Sequence, residues 1–154
     1  MMEKQGSSRS CFVCGVANPV GLHLAFYDSG PGEVTVNFTP SEQYQSYPGV
    51  LHGGIIAAIL DETAGRSHMK GSPPRFMFTA KLEIRYRKNV PIGEPLKIIG
   101  RAGKSRSRMA EAWAGIYDLS GTLLAEADAL YMDIPTPPDP TALESFGWKV
   151  YPDE

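Results

Sequence analysis

The spacing of hydrophobic residues along the chain predicts two strands, one long helix and then four more strands. In the middle of the chain apolar side chains recur at helical spacing, whereas further along they alternate with polar ones, as in a half-buried strand. The run Gly71-Ser72-Pro73-Pro74 is predicted to end the helix. The predicted strands cover residues 22–27, 33–39, 76–86, 95–103, 109–119 and 122–134, and the predicted helix runs from residue 51 to about residue 69.

This order of elements predicts an α+β fold. A single helix among several antiparallel strands must bury its apolar side on the sheet. From residue 51 to residue 60 the helix is apolar over most of its circumference, so the sheet is expected to wrap around it. Turn residues between the first two strands, at positions 28–32, predict that these strands form a hairpin.

The two ends of the chain differ in composition from the middle. Residues 1–10 are predicted to be a disordered lead-in, and residues 11–135 to form a single domain. The rest, residues 136–154, begins with several prolines and carries a short amphipathic piece around residues 142–148. This extension is expected to pack on the domain or at a subunit interface.

The predicted helix carries the residues with the most chemical interest. It begins at a His52-Gly53-Gly54 turn, and helix N-termini hold unpaired N–H groups that suit a developing oxyanion. Asp61 lies two turns further on, and an acid among apolar residues is costly unless it is used or paired. The residues that share its face are all small: Gly54, Ala57, Ala58 and Gly65. They favour the close approach of a ligand, although close packing alone would also explain them.

Two neighbouring polar residues are interpreted as structural. Glu62 precedes Arg66 by four residues, which is the spacing of an ordinary ion pair on a helix surface. His52 could act as a base, but its position before two glycines favours a role in capping the helix or orienting the loop.

Composition and charge exclude several classes of protein. A length of 154 residues fits one domain, and a net charge of −2 gives no reason to expect a nucleic-acid partner. No apolar stretch approaches the ~18 residues of a membrane span. The first eight residues do not resemble a secretory signal, so a cytoplasmic location is expected. The chain contains no glycine-rich phosphate loop or dinucleotide motif, and no cofactor is expected.

Cys11 and Cys14 form a single C-x-x-C motif, which is at most half of a zinc site. Zinc usually has four ligands, and the nearest other candidate is His23. A redox pair would be expected in a βαβ unit, which the predicted elements lack. Cysteines without a bound metal are therefore the favoured interpretation.

The residues around the helix start resemble a known family. The segment Gln45-Ser46-Tyr47-Pro48-Gly49-Val50-Leu51-His52-Gly53-Gly54, followed by Asp61, is similar to the signature of hotdog-fold acyl-CoA thioesterases of the phenylacetate-pathway type. The leader from Cys11 to Leu22 also resembles that of a thioesterase-like subgroup. The resemblance implies a five- or six-stranded antiparallel sheet around a central helix, and two subunits that together build two sites.

The resemblance also implies roles for individual residues. The Gly53 N–H would polarise the thioester carbonyl, and Asp61 of a partner subunit would act as general base or as nucleophile. His52 would shape the turn, and Thr79 would orient the attacking water unless it is a plain strand threonine. Gln45 lies in a region where some relatives hold the thioester, although its spacing to His52 is one residue longer here.

A basic turn between two predicted strands is a second candidate for substrate contact. The resemblance places such a hairpin near the nucleotide of coenzyme A, so phosphate contacts are expected there, but a solvated turn would carry the same charges. The candidate substrate-binding residues are Gln45, Gly54, Lys104, Arg106 and Arg108.

Three functions remain open at this stage. The first is an acyl-CoA thioesterase, assembled as a homodimer or a dimer of dimers. The second is a hotdog-fold hydratase or dehydratase, which His52 keeps open although its His-Gly-Gly context argues against it. The third is a non-catalytic acyl-CoA-binding protein, which should lack an acid such as Asp61 facing the thioester.

Overall fold

One antiparallel sheet curves around a long helix in the computed structural model, which describes residues 2–71 and 73–153. The helix, α1, crosses the concave side of the sheet and contacts β5, β6 and β7 most extensively. The elements are β1 (Glu3–Lys4), β2 (Tyr27–Gly30), β3 (Glu33–Phe38), a 3-10 turn (Glu42–Tyr44), α1 (Gly53–Arg66), β4 (Met77–Tyr86), β5 (Leu96–Ser105), β6 (Met109–Tyr117), β7 (Leu123–Asp133) and α2 (Pro140–Ser145).

The strand order is β1-β2-β3-β5-β6-β7-β4, and every neighbouring pair is antiparallel. A curved antiparallel sheet around one central helix is the hotdog fold, so the α+β expectation is confirmed. The described residues form seven strands rather than five or six. The extra count comes from the two-residue strand β1 at one edge of the sheet.

The expectation of a disordered lead-in is wrong for the described residues 2–10, while Met1 lies outside the described residues. Glu3 and Lys4 pair with Asp28 and Tyr27 of β2. A second antiparallel bridge joins Ser7 to Lys149 near the other end of the chain. The sequence pattern missed this segment because it is held through backbone groups, which polar side chains do not reveal.

The strand predicted at residues 22–27 is also corrected, because β2 begins only at Tyr27. Leu22, Leu24 and Phe26 are buried at alternating positions, as the pattern predicted. Their backbone partners, however, lie in the leader rather than in the sheet: Leu22 N–H donates to Phe12 O and Leu24 N–H donates to Val13 O, both at 2.8 Å. The predicted hairpin between the first two strands of the pattern is present as β2 and β3.

Small residues bring α1 close to the sheet. Buried alanines occupy inward positions of β6 and β7, and Gly100 of β5 allows the closest approach. A Cβ atom on Gly100 would lie 2.4 Å from the carbonyl oxygen of Thr63 in α1, which is far inside contact distance. The helix therefore lies directly on the backbone of β5, which fixes its position.

The helix ends at Arg66 rather than near residue 69. The Ser67 hydroxyl donates to Ala64 O at 2.6 Å and so takes up a carbonyl of the last turn. Ser72, part of the predicted helix stop, lies outside the described residues. No helix among the described residues is both long and apolar enough to cross a membrane.

We expect Gly100→Ala to lower the free energy of unfolding by about 1–3 kcal/mol, because the added methyl group must push α1 away from β5. Chemical denaturation followed by circular dichroism measures this change. Gly30→Ala is the matched control: its Cβ would meet no atom within 4 Å, and its change should stay within about 0.5 kcal/mol. Equal losses in the two variants would contradict close helix–sheet contact at Gly100.

Candidate active site

Asp61 lies half-buried on α1, with its carboxylate held by two hydroxyl groups. Its Oδ1 accepts hydrogen bonds from Thr79 Oγ1 at 2.7 Å and from Tyr131 OH at 3.2 Å. Tyr131 OH also lies 2.5 Å from the Asp61 carbonyl oxygen. The structure thus brings together two of the residues singled out from the sequence, Asp61 and Thr79, because β4 runs beside the middle of the helix.

Tyr131 was missed by the sequence analysis. It lies on β7, where the preceding inward-facing positions are Ala125, Ala127 and Ala129. A polar tyrosine at the next inward position of this alternating pattern was the one sign in the sequence that could have identified it. Gly65 makes room for its ring, since a Cβ there would lie 3.2 Å from the ring edge. Burial, followed by the nearby Asp61 carboxylate, raises the pKa of the Tyr131 hydroxyl, which therefore remains a donor at neutral pH.

The Asp61 carboxylate faces a cavity of about 410 Å³. Its walls combine this polar group with apolar side chains from β4 and from the end of the chain. Among the lining residues are Asp61, Thr79, Tyr131, Phe76, Met77 and Trp148. This mixture of apolar walls and a few convergent polar groups is typical of small-molecule sites.

The end of the chain forms one wall of this cavity. The Trp148 ring meets Phe76 edge-on, with 5.0 Å between the ring centroids. Phe146 lines the same space. Helix α2 immediately precedes both residues. Its N-cap residue is Asp139, whose side chain accepts a hydrogen bond from Ala142 N–H. The extension thus packs on the domain of its own chain.

Within residues 2–71 and 73–153, the start of α1 has one backbone donor without an acceptor. His52 is the N-cap residue: its Nδ1 accepts a hydrogen bond from Gly54 N–H at 2.9 Å, and its carbonyl accepts from Ile55 and Ile56. Gly54 N–H is therefore occupied. Gly53 N–H has no acceptor within the part of the chain that the structure describes. His52 thus has the capping role favoured from its position.

One chain does not bring Gly53 and Asp61 together. They are eight positions apart on the same helix, which is about 12 Å along the axis at 1.5 Å per residue. Gln45 is also apart from Asp61: it is exposed, and its Oε1 accepts a hydrogen bond from Gly49 N–H at 3.2 Å. Within a single chain, Gln45 therefore closes the loop before the helix.

The Glu62–Arg66 pair forms as the spacing predicted, with 3.2 Å between Oε2 and Nε, but its expected position on the surface is wrong. Arg66 is only 3% exposed. Its guanidinium lies over the rings of Phe26 and Trp148 and donates to Gly6 O at 2.8 Å. A spacing of four residues occurs in ion pairs on a helix surface and in buried ones, so the sequence could not show whether this pair is exposed or buried.

Glu62 also faces the C-x-x-C motif. The Cys11 thiol donates to Glu62 Oε1 at 3.3 Å, and both cysteines are free thiols that line the cavity. Burial raises the pKa of Glu62 to about 7, while Arg66 opposes this shift. The hydrogen bond with Cys14 lowers the pKa of the Cys11 thiol. His23 is exposed, with its Nε2 2.5 Å from Asn18 O, and does not belong to this group.

The basic turn lies exposed between β5 and β6 and carries Lys104, Arg106 and Arg108. Arg75, which lines the cavity, connects this turn to the site: it donates to Ser105 Oγ at 2.7 Å and pairs with Asp133 at 2.7 Å. The sequence pattern did not single out Arg75, because the contact spans thirty residues and depends on the pairing of distant strands.

Comparison with known families gives one match over half of the chain. A family model described as the thioesterase superfamily matches residues 48–125, a segment that contains α1 and the strands β4 to β6. The acyl-coenzyme A thioesterase THEM4 of Rattus norvegicus is 28% identical over 134 residues, which are 86% of this chain and 57% of the rat protein. The chain thus spans little more than half the length of this relative.

Solved structures show the same architecture. The crystal structure of a thioesterase superfamily protein superposes with a TM-score of 0.74 at 26% identity. The superposed part is 81% of this chain and 61% of the chain in that crystal structure. A Streptococcus mutans protein bound to acetyl-CoA superposes with a TM-score of 0.65 at 21% identity, over 72% of this chain and 88% of that chain. At this second level of identity, the likeness is one of fold alone.

Proposed function

Because the chain belongs to the thioesterase superfamily, we propose that it hydrolyses the thioester bond of acyl-coenzyme A to a free acid and coenzyme A. The observation that carries the proposal is the Asp61 carboxylate, held by Thr79 and Tyr131 at the wall of a cavity of about 410 Å³. Further support comes from the name of the rat relative and from the acetyl-CoA bound by the Streptococcus mutans protein.

Asp61 activates the attack on the thioester. Both hydroxyl donors bind its Oδ1, whereas no hydrogen bond from the described residues reaches Oδ2. Oδ2 is thus available to take a proton from water as the water oxygen bonds to the carbonyl carbon. The C–S bond then breaks, and coenzyme A leaves as a thiolate that takes the proton back from Asp61. Alternatively, Oδ2 attacks the carbon itself and displaces the coenzyme A thiolate, and water then hydrolyses the resulting anhydride to the free acid and the Asp61 carboxylate.

Thr79 supports this step by fixing the carboxylate. Its hydroxyl donates its proton in a hydrogen bond to Asp61 Oδ1, so its oxygen can accept a hydrogen bond from the attacking water. This refines the role expected for Thr79, which was to orient water alone.

The carbonyl oxygen gains negative charge during the attack and requires a donor. Gly53 N–H at the start of α1 suits this role, because it has no acceptor among the described residues and lies at a helix N-terminus. The ~12 Å between Gly53 and Asp61 of one chain is too far for a single thioester carbon. We therefore assign the two groups to two copies of the chain, in a homodimer whose interface contains both sites.

Coenzyme A then extends toward the basic turn between β5 and β6. Arg106 and Arg108 are exposed there and can meet its phosphates. The acyl group lies against the apolar walls formed by Phe76, Met77 and Trp148.

Asp61→Asn should reduce thioester hydrolysis to background while leaving the fold unchanged, because the amide cannot accept a proton from water. Thiol release from a panel of acyl-CoAs measures the activity, and circular dichroism measures the fold. Asp128→Asn, an exposed acid on β7, is the matched control and should hydrolyse normally. Normal turnover by Asp61→Asn would remove this residue from the mechanism.

Water addition to an enoyl-CoA, measured on the same preparations, separates hydrolysis from hydration. A protein that hydrates without releasing thiol would be a hydratase, contrary to the proposal. A protein that binds acyl-CoA without either reaction would be a binding protein, which also contradicts it.

Gly53→Pro tests whether the site spans two chains. Proline removes the N–H but suits the first helical position, and His52 already has the extended conformation (φ −61°, ψ 135°) that precedes proline. We expect kcat to fall by about 10²–10³-fold. A purified heterodimer of Gly53→Pro and Asp61→Asn chains should regain about half of the wild-type activity, because one of its two sites keeps both groups.

Gly53→Ala, which keeps the N–H, is the control and should retain activity; its Cβ would lie 3.5 Å from the nearest atom of Tyr86. A heterodimer as inactive as the two homodimers would contradict a site shared between chains.

The double variant Arg106→Ala/Arg108→Ala should raise KM for acyl-CoA about 10-fold, because it removes phosphate contacts. KM for a short thioester without the nucleotide should stay unchanged. The control Lys97→Ala/Arg101→Ala removes the same charge from β5, the strand that leads into this turn, and should affect neither substrate selectively. Equal effects of the first variant on both substrates would contradict phosphate binding at this turn.

A further inference from the structure

A second group of chemically reactive side chains faces the cavity, and the proposed hydrolysis does not use it. Cys11, Cys14 and Glu62 bring two sulfurs and a carboxylate oxygen within 4.8 Å of one another. The sequence alone offered only the two cysteines of a C-x-x-C motif, with His23 as the nearest third ligand. The fold supplies a different third ligand, Glu62, from the middle of α1.

We propose that Cys11, Cys14 and Glu62 form a binding site for a thiophilic divalent cation, Zn²⁺ by the chemistry of its ligands. Thiolate and carboxylate together are a donor set that zinc accepts. In a tetrahedral zinc site, Zn–S bonds of about 2.3 Å and Zn–O bonds of about 2.1 Å separate neighbouring ligand atoms by roughly 3.5–3.8 Å. The Cys11 Sγ to Glu62 Oε1 distance of 3.3 Å is close to this value.

The backbone of the C-x-x-C motif supports the two sulfurs. Gly15 N–H donates to Cys11 O at 2.8 Å, and Val13 N–H points at Cys11 Sγ, 3.4 Å away. The turn is so tight that a Cβ on Gly15 would lie 2.4 Å from Cys11 N. A backbone N–H directed at sulfur stabilises the negative charge of a bound thiolate. The turn thus holds both sulfurs on one side before any metal arrives.

Arg66 orients the third ligand and balances the charge of the site. It binds Glu62 Oε2, which leaves Oε1 directed at Cys11. Two thiolates and one carboxylate around a divalent cation carry one net negative charge, and the buried guanidinium neutralises it. Such a second layer of contacts is typical of metal ligands in proteins.

The fourth coordination position faces the cavity. Both cysteines and Glu62 line the same space as Asp61, and the described residues place no fourth Cys, His, Asp or Glu ligand in this group. Water from the cavity is the natural fourth ligand. A bound cation would also join the leader to α1, because two of its ligands come from one segment and the third from the other.

Metal titration of the full chain tests this site. The reduced, metal-free protein should take up one Zn²⁺ per chain in competition with a chromogenic chelator, and its melting temperature should rise. With Co²⁺ in place of Zn²⁺, a thiolate-to-cobalt charge-transfer absorption should appear. Uptake well below one ion per chain, or a cobalt spectrum without thiolate absorption, would overturn the proposal without recourse to any variant.

Substitutions then locate the ligands. Cys11→Ser and Cys14→Ser should each weaken Zn²⁺ binding by more than about 100-fold, and Glu62→Gln should weaken it as well. His23→Asn is the control: asparagine tolerates the positive φ of 53° at this position, and binding should be unchanged. A loss of binding in His23→Asn alone, or a Cys11–Cys14 disulfide that persists under reducing conditions, would contradict the site.

Discussion

The site depends on the contacts that the buried guanidinium of Arg66 makes. A charge in the interior is costly unless its donors are satisfied, and here Glu62, the side chain of Gln5 and the carbonyl of Gly6 all accept from it. The rings of Phe26 and Trp148 lie against it. The N-terminal segment, the end of α1 and the C-terminal extension therefore meet at one cation, and the cavity wall is built around that meeting point.

Helix α1 carries two neighbouring acids, Asp61 and Glu62, that have different partners. Asp61 and Glu62 point about 100° apart around the helix axis. Asp61 meets hydroxyl groups of β4 and β7, whereas Glu62 meets the leader and Arg66. The two carboxylates thus line one cavity but have different partners. Hydroxyl donors hold Asp61, whereas the Arg66 guanidinium and two thiols lie around Glu62.

Features of the fold and the site could be predicted from the sequence where the contacting residues are close together along the chain, and were missed where they are far apart. The helix, its His52 cap and the long strands follow from local spacing, and Thr79, which the family resemblance placed beside the site, contacts Asp61. Tyr131 was missed, because its partner is seventy residues away and depends on the pairing of β7 with β4. The burial of Glu62 was missed because Cys11, which contacts it, lies 51 residues away along the chain. The backbone pairing of residues 3–4 and of Ser7 left no mark on the side-chain pattern of the segment that was expected to be disordered.

The antiparallel bridge between Ser7 and Lys149 joins the N-terminal segment to the C-terminal extension, next to residues that line the cavity. Because Ser7 is synthesised long before Lys149, the N-terminal segment cannot form this bridge until nearly the whole domain has been made. The sheet and α1 can form earlier from contacts within residues 27–133. Completion of the cavity is thus a late event of biosynthesis, and a nascent chain that lacks residue 148 has a cavity without one of its walls.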